Sequence, residues 1–146
     1  MLRFFSVRNF RQFREELVFD FTNTRDYQFS PQCVKDGLVN KAIIYGKNAV
    51  GKTSLMAAMQ DIYYTTLGRT AVNADYPFRN ADSADDETIQ FRYTFLLDGV
   101  IVDYQYEKTD FSHVVGEKLS FDDDVIFEYS RKKDYYYFVF VIYFSS

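Results

Sequence analysis

The sequence holds a single cysteine, Cys33, a single histidine, His113, and no tryptophan. One thiol excludes a disulfide framework within the chain and fits a reducing, cytoplasmic setting. A histidine with no second histidine and no cysteine nearby makes a poor metal ligand, so His113 reads as structural. No apolar stretch reaches the ~18 residues of a membrane span. The opening MLRFFSVRNFRQFREE is interrupted by Arg3, Arg8, Arg11 and Arg14, and lacks the unbroken apolar region of a signal peptide. Internal repeats and low-complexity linkers are absent too. The net charge is −4, so the surface as a whole is not built to attract nucleic acid; a DNA contact would need a local patch or further chain.

Aromatic residues are what the sequence has in quantity. They make up 20% of it, as 16 Phe and 13 Tyr, and this richness in strand-favouring side chains points to a sheet-heavy fold. A length of 146 residues bounds the chain to one domain with a modest core.

The chain is organised around residues 42–68, AIIYGKNAVGKTSLMAAMQDIYYTTLG. Gly46 to Thr53 reads G-x-x-x-x-G-K-T, a phosphate-binding loop. Gly46 and Gly51 lack Cβ atoms, so the backbone can approach a phosphate closely. N–H groups from Lys47, Asn48, Ala49, Val50, Gly51 and Lys52 can converge into an anion nest, to which the N-terminus of a following helix adds its positive end. Lys52 is placed to reach the β- and γ-phosphates. The Thr53 hydroxyl is placed to hold Mg²⁺, with Ser54 next in line. Ala42-Ile43-Ile44-Tyr45 reads as the buried strand that precedes such a loop. Leu55, Met59 and Ile62 recur at helical spacing, with Gly68 as a C-terminal stop. A chance glycine turn before an ordinary amphipathic helix is the competing reading, and the strand–loop–helix order argues against it.

With Asn48 the loop becomes G-x-N-x-x-G-K-T, which resembles the ABC-type ATPases of the SMC, RecF and OLD groups. It is most similar to the AAA-family ATP-binding proteins often found in bacterial anti-phage systems. The resemblance covers roughly residues 1–134, with weaker agreement at Arg8-Asn9-Phe10 with Phe13, at Pro77-Phe78 and at 117–130. It implies an α/β, mixed but β-rich fold: the N-terminal lobe of a P-loop ATPase, with antiparallel hairpins, a phosphate-loop strand and one main helix. It also implies ATP and Mg²⁺ as ligands, and a homodimer or a missing C-terminal lobe. A nucleic acid or effector protein, in DNA repair or phage defence, would be the partner of the full-length parent. The Arg8–Phe13 turn would lie near the nucleotide base; a solvated basic turn is the alternative.

Along the chain, residues 2–8 and 16–22 read as a first hairpin, the second strand alternating Leu17, Phe19 and Phe21 with Glu16, Val18 and Asp20. Residues 23–41, with Pro31 and Gly37, read as an irregular link. Residues 69–87 read as a loop holding Tyr76-Pro77-Phe78 and an acidic run, Asp82, Asp85, Asp86 and Glu87, which suits a solvated loop better than a metal site. In 88–108, Ile89, Phe91, Tyr93, Phe95 and Leu97 alternate with polar residues, and Asp98-Gly99 is a type I′ turn signal. A two-residue turn there pairs Leu97 with Val100, Phe95 with Val102, Tyr93 with Tyr104 and Phe91 with Tyr106, all on one face. At 117–130 a three-residue loop, Asp122-Asp123-Asp124, joins Leu119 and Phe121 to Val125, Phe127 and Tyr129; the aspartates suit a turn tip. The apolar tail 135–146, YYYFVFVIYFSS, reads as a buried central strand or as a truncated or out-of-frame end, with an aggregation-prone composition.

Several parts of an ATPase cannot be found. A Walker B strand ends in Asp-Glu; the nearest candidate, Val100-Ile101-Val102-Asp103, runs on into Tyr104 and is better read as the hairpin strand. No L-S-G-G segment occurs, and Gln90 and His113 stand in the wrong contexts for a Q-loop glutamine or a switch histidine. Asn40-Lys41 precedes the loop and lacks the Asp of a guanine-recognising N-K-x-D, so ATP is the better base assignment. Two functions therefore compete: ATP binding within an ATP-hydrolysing head, or a non-catalytic nucleotide-binding or interaction fragment.

Overall fold

Alternating apolar residues separated by short acidic or glycine-containing pairs fold back on themselves, and the chain is accordingly a succession of hairpins. The computed structural model describes residues 1–25, 30–48, 50–69 and 77–139. Its strands are Leu2–Arg8 (β1), Leu17–Asp20 (β2), Val34–Lys35 (β3), Leu38–Val39 (β4), Ile89–Leu97 (β5), Val100–Lys108 (β6), Val114–Phe121 (β7), Asp124–Ser130 (β8) and Tyr135–Phe138 (β9), and Lys52–Thr66 is the helix α1. Seven of these strands make one sheet in the order β2-β1-β5-β6-β7-β8-β9, and every pairing in it is antiparallel.

The β5–β6 hairpin has the expected register, with Leu97 opposite Val100, Tyr93 opposite Tyr104 and Phe91 opposite Tyr106. Asp98 and Gly99 both have positive φ, +50° and +87°, as a type I′ turn requires. Gly99→Val should therefore cost about 1–2 kcal/mol, because a β-branched residue resists the left-handed region. Melting at the wild-type temperature would show that this turn does not set the register.

The second hairpin turns differently from the three-residue loop read in the sequence. Asp122 and Asp123 carry φ of +47° and +73°, Phe121 pairs directly with Asp124, and a register shift between Leu119 and Ser120 follows. A tight turn plus a bulge restores the same opposition, Leu119 to Phe127, that the longer loop would have produced. The described part of the link from residue 30 to 41 also holds more regular structure than expected. Pro31–Cys33 forms a 3-10 turn, and Asp36-Gly37, both at positive φ, close the small β3–β4 hairpin.

Helix α1 ends as its sequence indicated. Gly68 has φ +60°; its N–H donates to Thr65 O (3.2 Å), and the Arg69 N–H donates to Tyr64 O (2.9 Å), the pairing of a Schellman stop. The helix lies on the sheet face that carries Phe5, Val7, Phe91, Tyr93, Tyr104 and Tyr106, and contributes Leu55 and Ala58 to that core. Phe91 and Tyr106 stack across the hairpin at 5.0 Å between ring centroids. Phe10 and Phe78 join the same core, edge to face at 5.0 Å.

The α/β P-loop lobe expected from the resemblance is not what this chain forms. The sheet is wholly antiparallel, and α1 is the one α-helix among the described residues, whereas such a lobe has several helices. The phosphate-loop strand is missing as well: Ala42 to Tyr45 belong to no strand, and Ile43 and Tyr45 stand 90% and 92% exposed. The physical reason lies in the connections. Antiparallel strands close over two-residue turns, of which this sequence has several, whereas a parallel strand needs a crossover and a partner to take up its N–H and C=O groups. The tail is likewise not a central strand where it is described. Tyr135–Phe138 forms the edge strand β9, exposed throughout. Residues 140–146 and Tyr76 lie outside the described residues. No helix among the described residues is long and apolar enough to cross a membrane.

Candidate phosphate-binding loop

The loop residues come together around the start of α1. Gly51 is the N-cap, at φ +97°, and its carbonyl accepts the first helical hydrogen bond from the Leu55 N–H at 2.8 Å. A Cβ there would stand 3.1 Å from two ring carbons of Phe13. Conformation and space thus both require glycine at this point. At Gly46 a Cβ would lie 3.3 Å from a methyl of Val50.

Lys52 opens the helix and turns back over the loop. Its ammonium donates to the carbonyls of Gly46 (2.8 Å) and Lys47 (2.5 Å), which closes the loop into a ring with the cation at its mouth. The N–H groups of the first helical turn have no partner within the helix and carry its positive end. Thr53 is exposed at this end, as are Lys47, Asn48 and Val50, while Ser54 is buried beneath the helix. Ala49 lies outside the described residues.

The Arg8–Phe13 turn is partly buried rather than a wholly solvated basic loop. Asn9 is buried at φ +60°; its side-chain amide donates to Thr88 O (3.0 Å), and its Oδ1 accepts from Ser83 and Arg14. Phe10 sinks into the core. Phe13 meets the loop through Gly51. The turn therefore clasps the 77–88 segment and props the phosphate loop.

Four of the acidic side chains, Asp85, Glu87, Asp103 and Glu107, are engaged elsewhere. Arg14 grips Glu87 at 2.7 Å and holds its carboxyl below the usual range, and Arg79 pairs with Asp85 at 3.2 Å. Burial would raise the Asp103 carboxyl, but hydrogen bonds from Arg92, Gln105 and Thr94 hold it down. Glu107 accepts from Thr88. Asp103 and Glu107 alternate with Tyr104, Tyr106 and Lys108, so they project from the sheet face away from α1. No cluster of three metal-ligating side chains exists among the described residues. His113 is exposed and bonded to Asp110, whose carboxyl is held down at about 2: burial would raise it, but hydrogen bonds from Ser112 and His113 prevail.

A buried polar knot beneath the helix was missed in the sequence. Asp61 Oδ2 accepts from Lys108 Nζ at 2.7 Å, from the Tyr106 hydroxyl at 2.8 Å and from Thr65 at 3.0 Å. The Lys108 side chain is only 2% exposed and lies 5.4–6.0 Å from the ring centres of Tyr106, Phe78 and Phe91. Tyr93 donates to Ala58 O at 2.6 Å, and burial pushes the Tyr93 and Tyr106 hydroxyls well above their ordinary range, so both stay donors. The available signal was that both charges fall on apolar positions. Asp61 shares the stripe of Leu55 and Ala58, and Lys108 ends the inward series Tyr104, Tyr106. Comparison of the chain with protein-family models and with curated proteins finds no match in either.

Proposed function

We propose that the loop from Gly46 to Thr53 binds the phosphates of a nucleoside triphosphate, ATP, with Mg²⁺ held at Thr53. The observation that carries this reading is the Lys52 ammonium, folded over the Gly46 and Lys47 carbonyls at the mouth of a glycine-capped helix. A phosphate entering there exchanges two neutral acceptors for an anionic one and meets the helix N-terminus at the same time. ATP is favoured over GTP because no N-K-x-D follows the loop.

The chain by itself binds without turning ATP over. Hydrolysis needs a carboxylate beside the metal and a positioned water, and among the described residues Asp61, Asp85, Glu87, Asp103 and Glu107 are fastened to other partners. The G-x-N-x-x-G-K-T resemblance to the SMC, RecF and OLD groups supports a wider role. In that role the loop serves an ATP-hydrolysing assembly directed at nucleic acid, in DNA repair or phage defence, with a second polypeptide supplying the missing carboxylate. A nucleotide-binding fragment that never hydrolyses is the second reading, favoured by those same engaged carboxylates.

Calorimetry with ATP, with and without Mg²⁺, tests the site. Wild type should show weak saturable binding that Mg²⁺ tightens, since an open loop leaves the phosphates wet and screened. Thr53→Ala should bind ATP equally in both conditions. An unchanged Mg²⁺ effect in that variant would remove Thr53 from the site, and no saturable heat in wild type would remove the loop. Steady turnover above a Lys52→Ala blank would show that a catalytic carboxylate is present after all.

A further inference from the structure

Among the described residues strand β9 ends the sheet, and its own sequence carries none of the usual edge protection. Edge strands are ordinarily blunted by charge, proline, a bulge or a covering segment. The opposite edge has such devices: β2 is flanked by Glu15 and Glu16, carries Asp20, and Val39 of β4 donates its N–H to Phe21 O beside it at 2.8 Å. β9 reads Tyr135-Tyr136-Tyr137-Phe138 with no charge, no proline and no register shift against β8. The last charged residue of the sequence is Asp134.

The hydrogen-bond phase of this edge can be read. Val139 N–H donates to Ile126 O at 2.8 Å, which makes that pair a hydrogen-bonded one. Alternation along an antiparallel ladder then directs the backbone of Tyr135 and Tyr137 towards β8, and that of Tyr136 and Phe138 to the open side. Tyr136 stacks on Tyr129 at 6.0 Å and Phe138 on Phe127 at 6.2 Å, so both rings extend the aromatic ladder on the helix-bearing face.

We infer that β9 pairs antiparallel with β9 of a second copy of this chain, about a two-fold axis that passes Tyr137 and runs normal to the sheet. This register alone brings both open backbone groups into hydrogen-bonded pairs using only the described strand: Tyr136 with Phe138 of the second copy, and Phe138 with its Tyr136. The axis keeps the two helix-bearing faces on one side, so the paired aromatic rings join two ladders into one. It also suits the charge. Two copies of net charge −4 meet along a strand that brings no like charges together.

The register makes a direct test. Tyr137 faces itself in a non-hydrogen-bonded pair, where Cβ atoms stand about 4.5–5.5 Å apart, close to disulfide reach. In the full chain carrying Cys33→Ser, Tyr137→Cys should form a disulfide-linked dimer under mild oxidation, and Tyr136→Cys should not. Light scattering should give twice the monomer mass for the parent chain and the monomer mass for Tyr136→Pro, which removes an outward N–H and leaves the β8 ladder intact. A monomeric parent, equal cross-linking at the two positions, or masses that climb past the dimer with concentration would each overturn the inference. Monomer that dimerises only with a foreign strand peptide would do the same.

Discussion

Asp61→Ala is expected to be the most damaging single substitution in the helix, costing about 3–5 kcal/mol. It leaves the Lys108 ammonium enclosed by aromatic rings, with Phe111 O at 3.4 Å as its remaining hydrogen-bond acceptor. The Tyr106 hydroxyl loses its carboxylate acceptor at the same time, while Thr65 keeps its bond to the backbone carbonyl of residue 61 at 2.9 Å. Against a total stability of about 5–15 kcal/mol this is a large share, and the melting temperature should fall by about 10–20 °C. The sign reverses for a paired change. Asp61→Leu with Lys108→Met removes both charges and keeps the volume filled, and a buried ion pair replaced by apolar groups is often neutral or better. Urea unfolding of the two single variants and the double variant measures this. If Asp61→Ala stays within about 1 kcal/mol of wild type, or the double variant is no better than the worse single one, the pair is not buried as described.

Lys52→Ala should abolish the proposed ATP binding while leaving the fold alone. Losing a charge-assisted contact of this kind costs about 1.5–3 kcal/mol, or about a 10–150-fold loss of affinity. Starting from weak binding, that places the variant beyond the reach of calorimetry. The fold is spared because the ammonium makes its two hydrogen bonds within its own loop, in an exposed setting, and surface changes of this type stay within about 0.5 kcal/mol. Equal affinity in the two proteins would take Lys52 out of the site. A variant that melts early would show instead that the lysine holds the loop together.

The contrast between these two residues marks what could be read in advance. Lys52 and its glycines were legible because their chemistry is local: a few consecutive residues carry the turn, the cation and the helix start. The same holds for the β5–β6 register, in which Asp98-Gly99 and the alternation of Phe91, Tyr93 and Phe95 agree, and for the Gly68 stop of α1. The β3–β4 hairpin, closed by Asp36-Gly37, was not anticipated, because it lies inside a stretch that reads as an irregular link.

Sequence alone therefore determined the β5–β6 hairpin with its register, the helix and the composition of the loop, since each depends on backbone preferences a few residues apart. Tertiary structure decided the rest. Whether Ala42–Tyr45 is a strand depends on a neighbouring strand to share its hydrogen bonds, and none comes beside it among the described residues. That β1 enters the sheet between β2 and β5 rests on pairing Phe5 with Tyr93 and Val7 with Phe91 across most of the chain. Asp61 and Lys108 are separated by 47 positions, and each alone looks like a charge misplaced on an apolar face. Only when α1 packs on the sheet do they meet, because excluding water makes an unpaired charge intolerable and a paired one acceptable.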